Sequence, residues 1–361
     1  MDIERLLDAT VKHDASDLHL RVGAPPKLRL QGKLRGLGNQ ILTPEDTLSA
    51  AKSITSDAHM QELDEVGTTD FGLSFRDLAR FRVCVFRHEG HTGVVMRQIP
   101  NKMMSFDEIG LPPVVAELCM RPRGLFLVTG PTGCGKTTTL ATMIGYINEH
   151  RTDHIITIED PIEYVHEHKR CIITQRELGQ DTPSFAEATR RGLRMDPDIM
   201  MVGEMRDLAT MEAAITAAET GHLVFATLHT TGSARTINRI VDAFPVAQQE
   251  QVRTQLAGGL IAVLSQLLVL GTDGKRVAAF ELMVSNPAVE HLIRKNETFK
   301  INSVIQTGAE EGMILLDDNL FNLYASGRVS HNEVLSRAYA PAALDEKIRQ
   351  YRLELEKQKK R

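Results

Sequence analysis

The chain has 361 residues, of which 42% are hydrophobic and 25% charged, and its formal net charge is −5. This is the composition of a soluble globular protein, and the length is enough for two ordinary domains. The acidic balance argues against a nucleic-acid partner, and no apolar run approaches the roughly 18 to 20 residues of a membrane-spanning helix. The start MDIERLLDATVKHD lacks the features of a signal peptide, so we expect a cytoplasmic protein with no transmembrane segment.

Residues 1–100 show a mixed α+β pattern, which predicts a small sheet with helices. Ile3, Leu6 and Leu7 share one face of an amphipathic first helix. A second helix is expected from about residue 44 to residue 63, with Thr43 as its N-cap. The predicted strands are ASDLHLRVG, KLRLQGKL, FGLSF, RFRVCVFRH and TGVVMRQI.

Three arginines of this region stand on the predicted strands. By the period of two, Arg80 and Arg82 point to one side of their strand while Phe81 points to the other, and Arg97 lies on the next strand. A solvated strand face explains this pattern, and so does a phosphate clamp that acts on another chain. The residues alone leave both explanations open.

A polar, proline-containing stretch at residues 101–112 predicts an interdomain linker. In residues 113–361 strands and helices alternate, which predicts an α/β domain with a largely parallel sheet. Its last part is expected to contain a long helix from about 246 to 269, a strand at VAAFELMV and a run of C-terminal helices.

The α/β domain opens on a phosphate-binding loop. GLFLVTGPTGCGKTTTL places G-x-x-x-x-G-K-T between an apolar strand and a helix, which is the context that this motif requires. Backbone N–H groups, the helix N-terminus and the Lys136 ammonium favour the phosphates of a nucleoside triphosphate, and the Thr137 hydroxyl suits Mg²⁺. The residues expected at the nucleotide are Gly130, Pro131, Thr132, Gly133, Cys134, Gly135, Lys136, Thr137 and Thr138.

Acidic residues follow two later apolar strands. Glu159 and Glu163 come at the end of the strand 154–158, where carboxylates can hold Mg²⁺ or orient a water, or can lie at the surface as turn residues. Glu204 follows the strand 199–202 and is expected to be the carboxylate partner of Mg²⁺.

Two histidines bracket a further strand, residues 222–229. A lone histidine is usually a structural residue. His229, however, stands at the carboxyl edge of its strand and His222 at the other end, and together they suggest a sensor of the γ-phosphate.

Five motifs in order, ASDLHL, GPTGCGKTTTL, TIEDPIEYVHE, DPDIMMVGEMRD and TAAETGHLVFATLHTT, resemble the secretion and type IV pilus motor ATPases, and among them the pilus retraction ATPases of twitching motility. The resemblance spans nearly the whole chain. It implies a PAS-like N-terminal domain followed by a RecA-like P-loop ATPase domain with C-terminal helices. It also implies a homohexamer at the cytoplasmic face of the inner membrane, which engages a membrane platform protein of the pilus machinery and drives pilin subunits out of the fibre.

By position, the resemblance assigns roles to the acidic and loop residues. Lys136 and Thr137 would be Walker A residues, and Glu204 would be the Walker B acid on the Mg²⁺ side. Glu159 and Glu163 would belong to an acidic box, with Glu163 orienting the attacking water.

The resemblance also addresses the histidines and arginines. His222 and His229 would form a histidine box. Arg80, Arg82 and Arg97 match arginines that the N-terminal domain directs at the nucleotide, often across a subunit boundary, which favours the phosphate clamp.

Two departures from the family pattern stand out. Cys134 occupies a loop position that is commonly Ser, so we expect activity to survive and sensitivity to thiol reagents to appear. AVEHLIRK places Glu290 and His291 where Arg and Asn usually stand, which bears on the strength or regulation of retraction.

Three alternatives remain. Pilus assembly and type II secretion motors of the same superfamily usually have a longer N-terminal region and a four-cysteine zinc module, whereas the cysteines here are widely spaced. A RecA-like nucleic-acid translocase is disfavoured by the net charge. A regulatory subunit that binds nucleotide without hydrolysing it is disfavoured by Lys136, Glu163 and Glu204.

Overall fold

The computed structural model describes residues 2–76, 78–99 and 103–359. The chain divides into two compact units, one of Met1–Met103 with Glu159–Val165 and one of Met104–Ile158 with His166–Arg361. The first two residues of the predicted linker, Asn101 and Lys102, lie outside the described residues. The rest of that stretch includes a short helix, Phe106–Ile109, which Ser105 caps.

The first unit is built on an antiparallel sheet. Its described strands pair in the order β3-β2-β1-β6-β5-β4. They are β1 (Asp17–Leu20), β2 (Lys27–Leu30), β3 (Lys33–Gly36), β4 (Thr68–Phe75), β5 (Ala79–His88) and β6 (His91–Ile99). The helices are α1 (Ile3–Lys12), α2 (Pro44–Ile54) and α3 (Asp57–Val66).

Two predictions for this unit were wrong in detail. KLRLQGKL is a hairpin of β2 and β3 and not one strand, because Gln31 and Gly32 both take positive φ (48° and 81°), as a two-residue turn requires. The predicted helix 44–63 is two helices. Thr55 is extended, and the Ser56 hydroxyl accepts from His59 N at 3.3 Å to begin α3.

The second unit is built on a mainly parallel sheet. The described strands pair in the order β13-β12-β7-β11-β10-β8-β9, and β13 runs antiparallel to β12. They are β7 (Gly124–Thr129), β8 (His154–Glu159), β9 (Ile172–Glu177), β10 (Ile199–Val202), β11 (Leu223–Leu228), β12 (Leu260–Leu270) and β13 (Arg276–Val284). Every residue of β7 and β11 is buried, so the sheet is covered on both faces, as parallel sheets are.

Helices flank this sheet and form the C-terminal region. They are α4 (Phe106–Ile109), α5 (Val114–Cys119), α6 (Lys136–His150), α7 (Phe185–Gly192), α8 (Leu208–Glu219), α9 (Ser233–Asp242), α10 (Val246–Gly259), α11 (Pro287–Arg294), α12 (Ile301–Thr307), α13 (Leu316–Ala325), α14 (His331–Arg337) and α15 (Pro341–Lys359). In the described part of the chain no helix combines the length and the apolar character needed to span a membrane.

The prediction of one long helix from residue 246 to residue 269 was also wrong. Helix α10 ends at Gly259, and residues 260–270 form the strand β12, which lies between β7 and β13. A strand buried on both faces shows no alternation of apolar and polar residues, so its apolar run cannot be told from a buried helix by periodicity. The pair Gly258–Gly259 was the available signal that the helix ends.

Candidate functional site

The phosphate loop connects β7 to α6 at the carboxyl edge of the parallel sheet. Gly130 has φ +141°, and a side chain there would collide with the backbone carbonyl of Gln266 on the neighbouring strand β12. Gly135 has φ +90° and precedes the first residue of α6. Side chains other than hydrogen are disfavoured in both conformations, so glycine is required for this loop to form.

Lys136 lies across the loop that it follows. Its Nζ donates to the carbonyl oxygens of Gly130, at 2.8 Å, and Pro131, at 3.2 Å. Burial lowers the pKa of Lys136, and the negative charge of Glu204 opposes that shift. A phosphate would offer this ammonium a full negative charge, which is a stronger acceptor than a neutral carbonyl.

His229, which was predicted as a sensor, lies between Glu204 and the phosphate loop. One of its carboxylate oxygens, Oε1, lies 2.7 Å from Arg206 Nε and 2.7 Å from His229 Nε2, while Thr132 Oγ1 lies 3.3 Å from His229 Nδ1. Burial would raise the pKa of this carboxyl. The hydrogen bond from Arg206 and the charges of His229 and Lys136 outweigh that effect and hold the pKa below its usual range. The carboxyl is therefore ionised at neutral pH.

The residues near the loop fit Mg²⁺ bound together with a nucleotide. Among the described residues no cluster of three or more His, Cys, Asp or Glu side chains could hold a metal ion. Mg²⁺ is commonly bound through one or two protein ligands together with substrate phosphates and waters. An ionised Glu204 and the hydroxyl of Thr137 in the first turn of α6 are such a pair in chemical type.

The predicted arginines belong to the first unit and differ from one another. Arg82 and Arg97 are directly opposite each other on β5 and β6, and both side chains are exposed. Arg97 Nε lies 3.0 Å from Asp17 Oδ1, and the other oxygen of that carboxylate lies 3.4 Å from Arg29 Nε. This row of the sheet thus carries three positive charges and one negative charge. Like charges directly opposite are destabilising, so the row favours an anion.

Arg80 has structural partners. Its Nε donates to the carbonyl oxygen of Ile162 at 2.7 Å, and its Nη1 donates to Ser74 Oγ at 2.9 Å. Ile162 lies in the segment that follows β8. The last residue of β8, Glu159, is buried, and Glu163, which comes directly after Ile162, is half-buried. Arg80 therefore holds the backbone beside Glu163, a contact that the sequence did not indicate.

The structure does not bring His222 to the phosphate loop of its own chain. β7 and β11 are parallel and in register, with Gly124 opposite Leu223, so His222 lies at the amino edge while the loop follows the carboxyl edge. Six strand residues separate the two edges by about 20 Å. The ring Nδ1 of His222 lies 2.9 Å from the carbonyl oxygen of Ala217 in α8. Within one chain this geometry keeps His222 out of contact with a nucleotide bound in the loop.

Cys134 lies in an environment that disfavours the expected reactivity towards thiol reagents. Its side chain is buried, and burial raises the pKa of the thiol, opposed by the positive charge of Lys136. Because the thiolate is the reacting form, the raised pKa slows modification, and burial of the side chain also limits the access of a reagent. The expectation of thiol sensitivity therefore needs revision.

A cleft of about 190 Å³ adjoins the loop, and it was not predicted from the sequence. Its walls combine the loop and the first turn of α6 with apolar side chains and two arginines from other elements. They include Gly135, Thr138, Met104, Leu268, Arg276 and Arg328. No sequence motif marks such a cleft. Part of its wall comes from β12, which was predicted to be helical, so the cleft could not be expected.

One histidine of the second unit gives a prediction for stability. Burial lowers the pKa of His166 to about 4, and its Nδ1 has no hydrogen-bond partner in the described part of the chain. An exposed histidine has a pKa of about 6.5. Between pH 6.5 and pH 4, His166 therefore binds a proton in the unfolded chain but not in the folded chain. The free energy of unfolding should fall by as much as about 3 kcal/mol as the pH falls from 6.5 to 4.

Urea unfolding of the wild type and of His166→Gln at pH 7 and pH 4.5 measures this contribution. The variant should lose less stability on acidification than the wild type. An identical loss in both proteins would show that His166 is protonated normally in the folded state.

Known proteins resemble this chain along almost its whole length. A family model described as "Type II/IV secretion system protein" matches residues 1–312. The "Type IV pilus retractation ATPase PilT" of Pseudomonas aeruginosa is 46% identical over 341 residues, 94% of this chain and 99% of that relative. The "Twitching motility protein" of Neisseria gonorrhoeae is 46% identical over 314 residues, 87% of this chain and 84% of that protein.

A solved structure agrees with the observed fold. The crystal structure of the pilus retraction motor PilT with bound ADP superposes with a TM-score of 0.90 at 44% identity, covering 96% of this chain and 99% of that one. The predicted fold class is thus confirmed, with an α+β, PAS-like N-terminal domain followed by a RecA-like α/β domain with C-terminal helices.

Proposed function

Because this chain belongs to the type II/IV secretion system protein family, we propose that it is an ATP-hydrolysing motor that powers type IV pilus retraction. The observation that carries the proposal is the cluster of Lys136, Glu204 and His229 beside a complete phosphate loop. The names of the relatives support the direction of the motor, since one is a retraction ATPase and another a twitching motility protein.

The residues divide the chemistry among them. The loop N–H groups and Lys136 bind the phosphates of ATP. Thr137 and Glu204 would hold Mg²⁺, which would supply positive charge beside the phosphates. Glu163 orients the attacking water, and His229, held against Glu204, senses whether the γ-phosphate is present.

The adenine base of the bound nucleotide occupies the cleft beside the loop. The apolar side chains Met104 and Leu268 of this cleft suit the faces of a base. The guanidinium groups of Arg276 and Arg328 could stack on the base or pair with the phosphate attached to the ribose. With the phosphates of ATP bound in the loop, the base would lie nearby in this cleft, because Thr138, which lines the cleft, directly follows Thr137 of the loop motif.

The working assembly is a homohexameric ring at the cytoplasmic face of the inner membrane, where it engages the pilus platform protein. In a ring each interface is heterologous, so it pairs two different surfaces of neighbouring chains. In this arrangement Arg82 and Arg97, the arginine row of one chain, face the nucleotide bound to the next chain. The excess positive charge of that row supports this arrangement.

Deleting the gene in its native host tests the direction of the motor. Loss of a retraction motor leaves cells with excess, immobile pili. Cells without pili would instead assign the chain to pilus assembly. A nucleic-acid translocase predicts that DNA stimulates ATP hydrolysis by the purified protein in a salt-dependent manner, and we expect no stimulation.

The departure at residues 290 and 291 gives a prediction about output. Glu290 pairs with Arg294 at 3.3 Å within α11, and His291 is exposed. Glu290→Arg with His291→Asn restores the family residues and should change twitching motility while ATP affinity stays within about twofold, because neither residue contacts the loop cluster. A change in ATP affinity as large as the change in motility would place α11 in the nucleotide site.

A further inference from the structure

Two neighbouring residues of β12 contact different parts of the candidate site. Ser265 and Gln266 are both buried, and successive residues of a strand point to opposite faces of the sheet. Ser265 is opposite Thr129 of β7 on one side and Glu281 of β13 on the other. β12 therefore runs directly beside the strand that carries the phosphate loop.

The side chain of Gln266 bridges the phosphate loop. Its Nε2 donates to the carbonyl oxygen of Cys134 at 2.5 Å, and its Oε1 accepts from Thr139 Oγ1 at 2.8 Å. Its own backbone carbonyl fills the space that a side chain at Gly130 would need. One buried amide thus fixes the end of the loop and the first turn of α6, and both of its polar ends are satisfied by those groups.

On the other face, Ser265 and Glu281 fix the segment that follows His229. Ser265 Oγ accepts from Gly232 N at 2.9 Å. Glu281 Oε1 accepts from Ser233 N at 2.7 Å and from Ser233 Oγ at 2.8 Å. Helix α9 begins there without a cap from its own N-cap side chain, and the buried carboxylate of Glu281 takes that place.

We propose that Gln266 is a positioning residue for the phosphate loop and that Ser265, with Glu281, is a positioning residue for the segment that carries His229. The proposal rests on the proposed function, in which the loop binds nucleotide and His229 acts in turnover. Because separate side chains hold the two parts, substitutions at adjacent positions should have separable effects. Loss of the Gln266 contacts should weaken nucleotide binding, and loss of the Ser265 contact should slow turnover.

Titration of the purified full chain with a fluorescent ADP analogue, together with kcat and KM for ATP, tests the separation. Gln266→Met keeps the length of the side chain and removes both hydrogen bonds, and it should bind the analogue about tenfold more weakly. Gln266→Glu keeps the acceptor for Thr139 and loses the donor to Cys134, so it should weaken binding without leaving a cavity.

Ser265→Ala should bind the analogue within about twofold of the wild type and lower kcat by about tenfold, whereas Ser265→Thr, which keeps the hydroxyl, should recover most of that kcat. Gln255→Met, which removes a hydrogen bond from Gln255 of α10 to Glu219 of α8, is the matched control and should change neither quantity. Thermal midpoints of all variants identify any that are unfolded at the assay temperature.

Wild-type affinity in both Gln266 variants, or equal losses of affinity and kcat in the Gln266 and Ser265 variants, would overturn the proposal. These outcomes differ from a failure of the proposed function, in which the wild type itself would neither bind the analogue nor release phosphate from ATP.

Discussion

Glu163→Gln should bind ATP with nearly wild-type affinity, and its turnover should fall by about 10²-fold or more. The carboxylate is half-buried in a segment whose backbone is held by Arg80, so an amide of the same shape fits there. It lacks the basicity needed to orient and deprotonate the attacking water. Phosphate release and equilibrium binding of a fluorescent ATP analogue measure the two quantities separately.

Lys136→Ala should instead lose affinity for ATP by about tenfold or more, because it removes the positive charge that contacts the phosphates.

Glu167→Gln is the matched control for Glu163→Gln, since it changes an exposed acid four residues further along the chain and should leave turnover unchanged. Wild-type turnover in Glu163→Gln would remove that residue from the role of water-orienting acid.

Mixing two inactive proteins should restore part of the activity. Arg82→Ala and Glu163→Gln should each be nearly inactive, because a cationic donor supplied in trans contributes about 10³-fold or more to phosphoryl transfer. In rings formed from equal amounts, about a quarter of the interfaces combine an intact Arg82 from one chain with an intact Glu163 from the next. ATPase activity of co-assembled proteins, against each protein alone, measures the recovery.

A pair from one loop cluster provides the control for mixing. Lys136→Ala and Glu204→Gln affect residues that interact within one chain, so their mixture should not recover. If mixed rings form and the Arg82→Ala and Glu163→Gln pair also fails to recover, the arginine acts within its own chain or has no catalytic part.

The parallel-sheet part of the site could be predicted well from sequence. β10 covers the predicted residues 199–202, and β7 is the apolar strand that was expected directly before the loop. Because the carboxyl ends of parallel strands meet at one edge, the positions of Lys136, Glu204 and His229 after their strands were enough to bring them together. Local pattern and topology agree in these elements.

What the sequence could not supply were contacts made across strands. Ser265 and Gln266 lie in an apolar run whose period is ambiguous, so the strand and its two contacts were missed. Glu281 caps a helix that begins 48 residues earlier, and no local motif encodes such a pairing. His222 and His229 were grouped as one sensor, although β11 places them at opposite edges of the sheet.

The proposed function requires that ATP hydrolysis by this chain withdraws pili. Fluorescently labelled pili can be followed in cells that lack the gene and carry either the wild type or Glu163→Gln on a plasmid. We expect frequent retraction with the wild type, and extended pili that do not retract with Glu163→Gln. Retraction at the same rate with both proteins, or in cells with neither, would show that ATP hydrolysis by this chain does not withdraw pili.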